Sequence, residues 1–414
     1  MSSILISNPV WGGKNCEIFC NYSLKSLLYE GNIPLLNKYH DITLHILTRR
    51  EDLIFFEKNI FFKSIPNNVK VDFFFFKKIF TLSKYSKVSK LQNISIKKST
   101  NYDFIVFNYA DFIWSDFSLS NSINKLIKKK LHFLSFFCLP VEHKHLKSFV
   151  EKNKKINQLE LSNFSAKNLH REAKLRIWNE KKFTMTPTFI IFKIQSEGLI
   201  ISAYHQTVLA ASVESNHILK EGIKGISLDE YFSSVIKNSK FETVCDSQDI
   251  MVSAICDWEH DSSITDKKLI NPSIKKCFKR LNNSNRHLSS KLISISINKN
   301  KKLTLWTKKE QYAIDVINNL NSNFPFHKIE HFFLTNKYIA PIYQFILYFL
   351  IGKSIIWSGW LKLWLKLALY LYGQMINYSF EYFFYLLEKK LLKKNVEFNK
   401  PILLKKIISK LNLN

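Results

Sequence analysis

Short apolar runs alternate with segments of helical periodicity over the first 140 residues. Residues 4–7 read as a buried strand that stops at Asn8-Pro9, and residues 16–29 as a helix with Phe19, Leu24, Leu27 and Leu28 on one side. Residues 42–47 (ITLHIL) form the next apolar run. It is followed by Thr48-Arg49-Arg50-Glu51-Asp52 and a helix to about residue 58. Residues 71–76 and 104–107 (FIVF) predict two more strands. A helix carrying Leu119, Ile123, Leu126 and Ile127 leads to a fifth strand over 133–139. Apolar runs too short for helices, separated by amphipathic helices, predict an α/β domain with a mostly parallel sheet. Ligands of such sheets bind beyond the carboxyl ends of the strands, so the loops that begin at Asn8, Thr48 and Asn108 are the first places to look.

Beyond residue 140 the pattern changes. Residues 140–185 are polar with helical tendency, and 189–194 with 199–203 predict a hairpin around Ser196-Glu197-Gly198. Residues 241–244 run into Cys245-Asp246-Ser247-Gln248-Asp249, and 260–300 read as polar and loop-rich. From about 338 the chain is again apolar. Residues 338–352 fall short of the roughly 20 needed to span a bilayer. Trp357, Trp360, Leu361, Trp364 and Leu371 then share one helical face, with Lys362 and Lys366 opposite. Trp beside Lys on such a helix predicts contact with a membrane surface over 338–394; the alternatives are a soluble helical bundle and a membrane-spanning pair. The expected organisation is a nucleotide-binding α/β half over 1–150, an acceptor-side half of the same domain over 151–300, and a helical C-terminal region over 301–414.

Composition narrows the function. The formal net charge of +28 over 414 residues favours anionic partners such as nucleotide-sugar phosphates or an anionic lipid surface. The basic residues are scattered and form no RNA-recognition signature, so no specific nucleic acid is expected. Only 9 residues are Gly, which argues against folds that cradle phosphate in glycine-rich loops. Gly12-Gly13-Lys14 fails as such a loop, because Asn8 stands at the first glycine position and Asn15 where a hydroxyl should hold magnesium. The six Cys form no metal-binding spacing, and the N-terminal apolar run is too brief for a signal-peptide core. Reduced thiols in a cytoplasmic protein, peripheral to the inner membrane, are the expectation.

Three segments carry more polar specificity than a core requires. In Asp111-Phe-Ile-Trp-Ser-Asp116, Asp111 follows a buried strand and is placed to hold a ribose or a divalent cation, while Ser115 or Asp116 is expected to cap the next helix. In Ala203-Tyr204-His205-Gln206, His205 ends a strand and can serve as a base or donate to a phosphate or sugar hydroxyl. In Asp246-Ser247-Gln248-Asp249, two carboxylates beyond a strand can hold Mg2+ or Mn2+, or one can deprotonate an acceptor hydroxyl.

Over residues 4–260 the chain resembles bacterial glycosyltransferase-like proteins of envelope-polysaccharide synthesis. The resemblance rests on Ile6-Ser7-Asn8-Pro9-Val10-Trp11-Gly12, Leu27 through Pro34, Ile46 through Asp52, Ala110 through Asp116, Gly198 through Leu209 and Asp246 through Ile250, in that order. It implies a GT-A-like fold and sugar transfer from a nucleotide-sugar to a glycan or lipid-linked acceptor. Asn8, Pro9 and Trp11 with Thr48 and Asp52 would bracket the base and ribose, and Asp111 would contact the ribose or a metal. Asp246 or Asp249 would orient or deprotonate the acceptor, with His205 against the diphosphate or the acceptor. The Asp-x-Asp typical of such enzymes is absent, and the Phe-His-x-His-Pro of the family is here Tyr204-His205-Gln206-Thr207-Val208. Dependence on Mn2+ or Mg2+, held by Asp111 and Asp246, is therefore open. The alternative is a non-catalytic membrane-surface binding protein that keeps the fold.

Overall fold

The computed structural model describes residues 1–76, 84–178, 182–183, 189–195, 197–213, 239–256, 269–270, 283–299 and 303–322. The chain divides into Met1–Phe326 and His327–Asn414, and every described residue belongs to the first unit. The Trp/Lys stretch over 338–394 lies outside the described residues.

The strands are β1 (Ser2–Pro9), β2 (His40–Thr48), β3 (Lys70–Phe75), β4 (Phe104–Phe107), β5 (Phe112–Trp114), β6 (Phe133–Phe136), β7 (Leu139–Glu142), β8 (Lys182–Phe183), β9 (Phe189–Ile194), β10 (Gly198–Ala203), β11 (Thr207–Ser212), β12 (Phe241–Thr243), β13 (Val252–Cys256), β14 (Leu269–Ile270) and β15 (Ile293–Ser296). The helices are α1 (Gly13–Ile18), α2 (Leu24–Leu27), α3 (Ile33–Leu36), α4 (Leu53–Glu57), α5 (Ile60–Lys63), α6 (Lys84–Lys98), α7 (Ser118–Lys129), α8 (His143–Lys152), α9 (Gln158–Lys167), α10 (Arg171–Leu175), α11 (Asn283–Ser289) and α12 (Leu303–Ser322). A π-helical turn, Phe19–Ser23, joins α1 to α2.

Seven strands form the main sheet in the order β12-β6-β11-β4-β1-β2-β3. Every pairing is parallel except those of β11, which runs against both β4 and β6. The mostly parallel sheet expected from the alternating runs is therefore present. β1 and β2 read as continuous apolar runs because helices cover both of their faces: Ile4, Leu5, Ile6, Leu44 and Ile46 are all fully buried. On α7, Leu119, Ile123 and Leu126 fall at i, i+4 and i+7 and seal against the core, while Ile127 stays 38% exposed.

A second layer packs beside the main sheet. β9 and β10 form the expected hairpin, and β15 pairs with the other edge of β10. α12 covers this small sheet with Trp306, Ala313, Ile317 and Leu320, a helical stripe buried against Ile190, Phe192 and Ile200. Gly198 is obligatory here. Its φ is +147, and a Cβ would stand 2.1 Å from the Ile295 carbonyl oxygen.

Two readings of the sequence need correction. The apolar run at 133–139 is not one strand. β6 ends at Phe136 in the main sheet, and the chain re-forms as β7 at the edge of a three-stranded sheet, order β5-β13-β7. Pro140 explains the edge position, since it has no N–H to give a neighbour on both sides. Nor does Asp116 cap α7. Phe117 takes the N-cap in a left-handed conformation at φ 62, with no side-chain cap bond. The Asp116 carboxylate is instead fully buried, accepting from the Gly31 N–H at 2.7 Å and facing Lys155 Nζ at 2.9 Å.

Candidate functional site at the carboxyl edge of the main sheet

Because β1, β2, β4, β6 and β12 are parallel, their carboxyl ends share one edge. β11 runs the other way and begins at that edge, with Thr207 opposite Phe136, the last residue of β6. The chain steps from β1 outward to β2 and β3, then resumes at β4 on the other side of β1. The crevice between the ends of β1 and β4 is thus the topological switch point, where open α/β sheets bind ligands.

Asn8 and Asn108 meet there. Asn108 Nδ2 donates to Asn8 Oδ1 at 2.8 Å, Asn8 Nδ2 donates to the Ile6 carbonyl at 2.8 Å, and Trp114 Nε1 donates to Asn108 Oδ1 at 2.8 Å. Asn8, Asn108 and Trp114 are 0% exposed. The π-helical turn aims Ser23 into the same cluster, its Oγ accepting from Asn108 Nδ2 at 3.2 Å. Asn8 therefore fixes the switch point, and its side-chain atoms are already in use. Pro9 is buried beside it.

The loop after β1 is tied to the end of β2. Val10 N–H donates to the Leu47 carbonyl at 2.9 Å, and the buried Thr48 gives its carbonyl to the Phe76 N–H at 3.0 Å. Asp52, 2% exposed, accepts from the Gly12 N–H at 2.8 Å and from Arg49 Nε and Nη2 at 2.7 Å each. Burial alone would push this carboxyl up, but the bonds from Arg49 and Gly12 outweigh it and hold Asp52 below the ordinary carboxylate range. Gly12 sits at φ +81, a conformation that suits only glycine. Asp52 is thus a clamp on the loop. Trp11 remains half-exposed on that loop, edge-on to Phe76 at 6.0 Å with Lys87 Nζ 5.3 Å from its ring centroid.

On the other side of the switch point, Asp111 is half-buried in the turn between β4 and β5, and its carbonyl accepts from the Ile255 N–H at 2.8 Å. His205 is half-buried in the turn from β10 to β11. Next to it Gln206 is sealed. Its Oε1 accepts from Ser135 Oγ and Thr243 Oγ1 at 2.8 Å each, which ties together the ends of β6, β11 and β12. Asp246 follows β12 and lies half-buried against β15, its Oδ1 accepting from the Gln248 N–H at 2.9 Å. Asp249 turns onto α7, where Lys125 Nζ reaches its carboxylate at 2.7 Å and Glu242 at 3.0 Å. Burial opposes the charge on Lys125, but these two carboxylates win and raise its pKa.

The residues selected from sequence therefore fall into two groups on one edge. Asn8, Pro9, Trp11, Thr48 and Asp52 gather at the ends of β1 and β2. Asp111, His205 and Asp246 follow the ends of β4, β10 and β12, and Asp249 is drawn back onto α7. Among the described residues, no group of three or more His, Cys, Asp or Glu side chains is arranged to hold a metal ion, and no helix is long and apolar enough to cross a membrane. The sequence marks the loop at Asn108 but not its bond to Asn8, nor the burial of the Gln92 and Gln206 amides. The available signal was a polar residue placed directly after, or packed against, an apolar run.

No family model and no curated protein matches the chain. Among solved structures, the chain is similar to S. aureus TarS with a TM-score of 0.34 at 12% identity, over 81% of this chain and 46% of that one. TarS 1-349 in complex with UDP gives a TM-score of 0.31 at 11% identity, covering 81% and 75%. The same fragment in complex with UDP-GlcNAc gives 0.24 at 14% identity, covering 34% and 35%. The chain thus spans 46% of the TarS chain and 35% of the fragment in complex with UDP-GlcNAc. At these TM-scores the likeness carries no argument about ligand or activity.

Proposed function

We propose that this protein transfers a sugar from a nucleotide-sugar to a hydroxyl of a glycan or lipid-linked acceptor, as in envelope polysaccharide synthesis. The observation that supports the reading is the carboxyl edge. Polar residues singled out by their position after apolar runs fall on either side of the switch point of a mostly parallel sheet. The net charge of +28 suits an anionic donor.

In this reading Trp11 offers its ring to the donor base, and Asn8, Thr48 and Asp52 hold the loop that carries it. Asp111 faces the ribose. Asp246 orients or deprotonates the acceptor hydroxyl from the turn after β12, where it is half-buried, while Asp249 pairs with Lys125 on α7. His205 sits against the diphosphate or the acceptor. In this reading a divalent cation would arrive on the donor phosphates and need only one or two protein carboxylates, with Asp111 and Asp246 the candidates. Bound there, it would offset charge on the leaving diphosphate. The stretch over 338–394 would keep the enzyme at the inner leaflet, where a lipid-linked acceptor lies.

A second reading, a binding protein with this fold and no transfer chemistry, is favoured by the commitment of Asp52 to Arg49 and of Asp249 to Lys125. Turnover separates the two. The full chain is incubated with nucleotide-sugars and a lipid-linked acceptor extract, and released nucleoside diphosphate is measured. Release that disappears in Asp246→Asn supports transfer. Donors that bind without any release support the second reading.

A further inference from the structure

Gln92 on α6 is 1% exposed and only half satisfied. Its Nε2 donates to the Tyr109 hydroxyl at 2.7 Å, while among the described residues its Oε1 has no hydrogen-bond partner. An acceptor withheld from water and left unpaired is costly, so such a group calls for an explanation.

Its position supplies one. Ser95, three residues later on α6, accepts from Ser7 Oγ at 2.7 Å near the end of β1. Leu91 packs with Leu47, Phe76 and Trp11 at the ends of β1 to β3. Lys87, one turn earlier, lies over the Trp11 ring. Tyr109 follows Asn108 directly at the end of β4, with its ring 4.7 Å from that of Phe112. The middle of α6, from Lys87 to Ser95, therefore reaches β1 and both loops that border the switch point. One loop contributes the half-exposed Trp11 and the other the half-buried Tyr109. α6 thus carries Lys87 to Trp11 on one loop and Gln92 to Tyr109 on the other; a flat heterocycle has faces to stack on such rings and an edge N–H to offer the unpaired amide oxygen.

We infer that Gln92 reads the nucleobase of the donor, with Oε1 accepting from a base N–H and Tyr109 fixing the orientation of the amide. This rests on the nucleotide-sugar reading and moves base recognition away from the Thr48–Asp52 loop, where Asp52 is occupied by Arg49 and Gly12. A buried hydrogen-bonding group discriminates strongly, because a ligand without the matching group leaves it unpaired.

The test is calorimetric titration of the full chain with UDP, CDP, ADP, GDP and inorganic pyrophosphate, for wild type, Gln92→Leu and Tyr109→Phe, with melting temperature as the control for folding. Wild type is expected to favour one base. Gln92→Leu should weaken that nucleotide at least tenfold and bring the four nucleotides together, with pyrophosphate binding unchanged. If Gln92→Leu fails to fold, Tyr109→Phe, which keeps the ring, should still narrow the preference. A variant that folds and keeps the wild-type preference overturns the assignment of Gln92 and leaves the donor reading intact. Wild type that binds no nucleotide overturns both.

Discussion

Asn108 donates to Asn8 at 2.8 Å across the gap between β4 and β1, and both side chains are fully buried. The bond joins the two strands between which the chain reverses its direction of growth across the sheet. Both amides have further partners, Ile6 and Trp114, so the switch point is held by a closed polar network.

Breaking that network should cost stability. Asn108→Ala leaves Asn8 Oδ1 and Trp114 Nε1 buried without their partner. At about 1–3 kcal/mol for each orphaned group, a loss of about 2–6 kcal/mol is expected in urea denaturation. A loss below about 1 kcal/mol would show that water or a rearranged side chain replaces Asn108.

Acid should weaken the fold through His45. This ring is 1% exposed, its Nδ1 is 3.0 Å from Ser95 Oγ, and Lys98 lies nearby paired with Asp72. Burial, then the Lys98 charge, pushes its pKa from 6.5 down to about 4 against the pull of Asp72. The unfolded chain therefore binds more protons between those values. The stability from a neutral His45 is complete above pH 6.5, fades as pH falls, and is gone near pH 4; it is on the order of 3 kcal/mol. Melting temperatures from pH 7 to pH 4 should drop more steeply for wild type than for His45→Gln. Parallel curves would remove His45 from the account.

The two carboxylates after β12 should separate. Asp249→Asn weakens a part-exposed pair with Lys125 and should cost less than about 1 kcal/mol. Asp246→Asn is isosteric and keeps the oxygen that accepts from Gln248, so the variant should stay folded while turnover is lost. Full turnover in folded Asp246→Asn would reassign the acceptor group.

The parts of this fold legible in the sequence are those where one rule acts alone. β1, β2 and β4 are apolar runs with both faces covered, and α7 shows its 119, 123, 126 stripe directly. β11 was hidden. Residues 207–212 (TVLAAS) carry small side chains, and the strand exists because β4 and β6 both pair with it over long sequence distances. β5 and β13 are three and five residues long and pair only with each other and β7, so neither shows a period. The site was legible as places along the chain, each a polar residue after an apolar run. Its partners were not, because a bond such as Asp52 to the Gly12 N–H spans 40 residues and depends on how two loops fold over one edge. For the same reason Asn8 and Asp52, selected as ligand contacts, turn out to have their side-chain atoms engaged within the protein.

Binding of a nucleotide-sugar at the carboxyl edge is tested by the melting temperature of the full chain against a panel of nucleotides and nucleotide-sugars, with and without Mn2+. A ligand that binds only the folded state at a hundred times its Kd adds about 2.7 kcal/mol and must raise the melting temperature. One nucleotide and its sugar conjugates should raise it, and the rise should shrink in Trp11→Ala. A flat panel with folded protein would rule out a donor site at this edge.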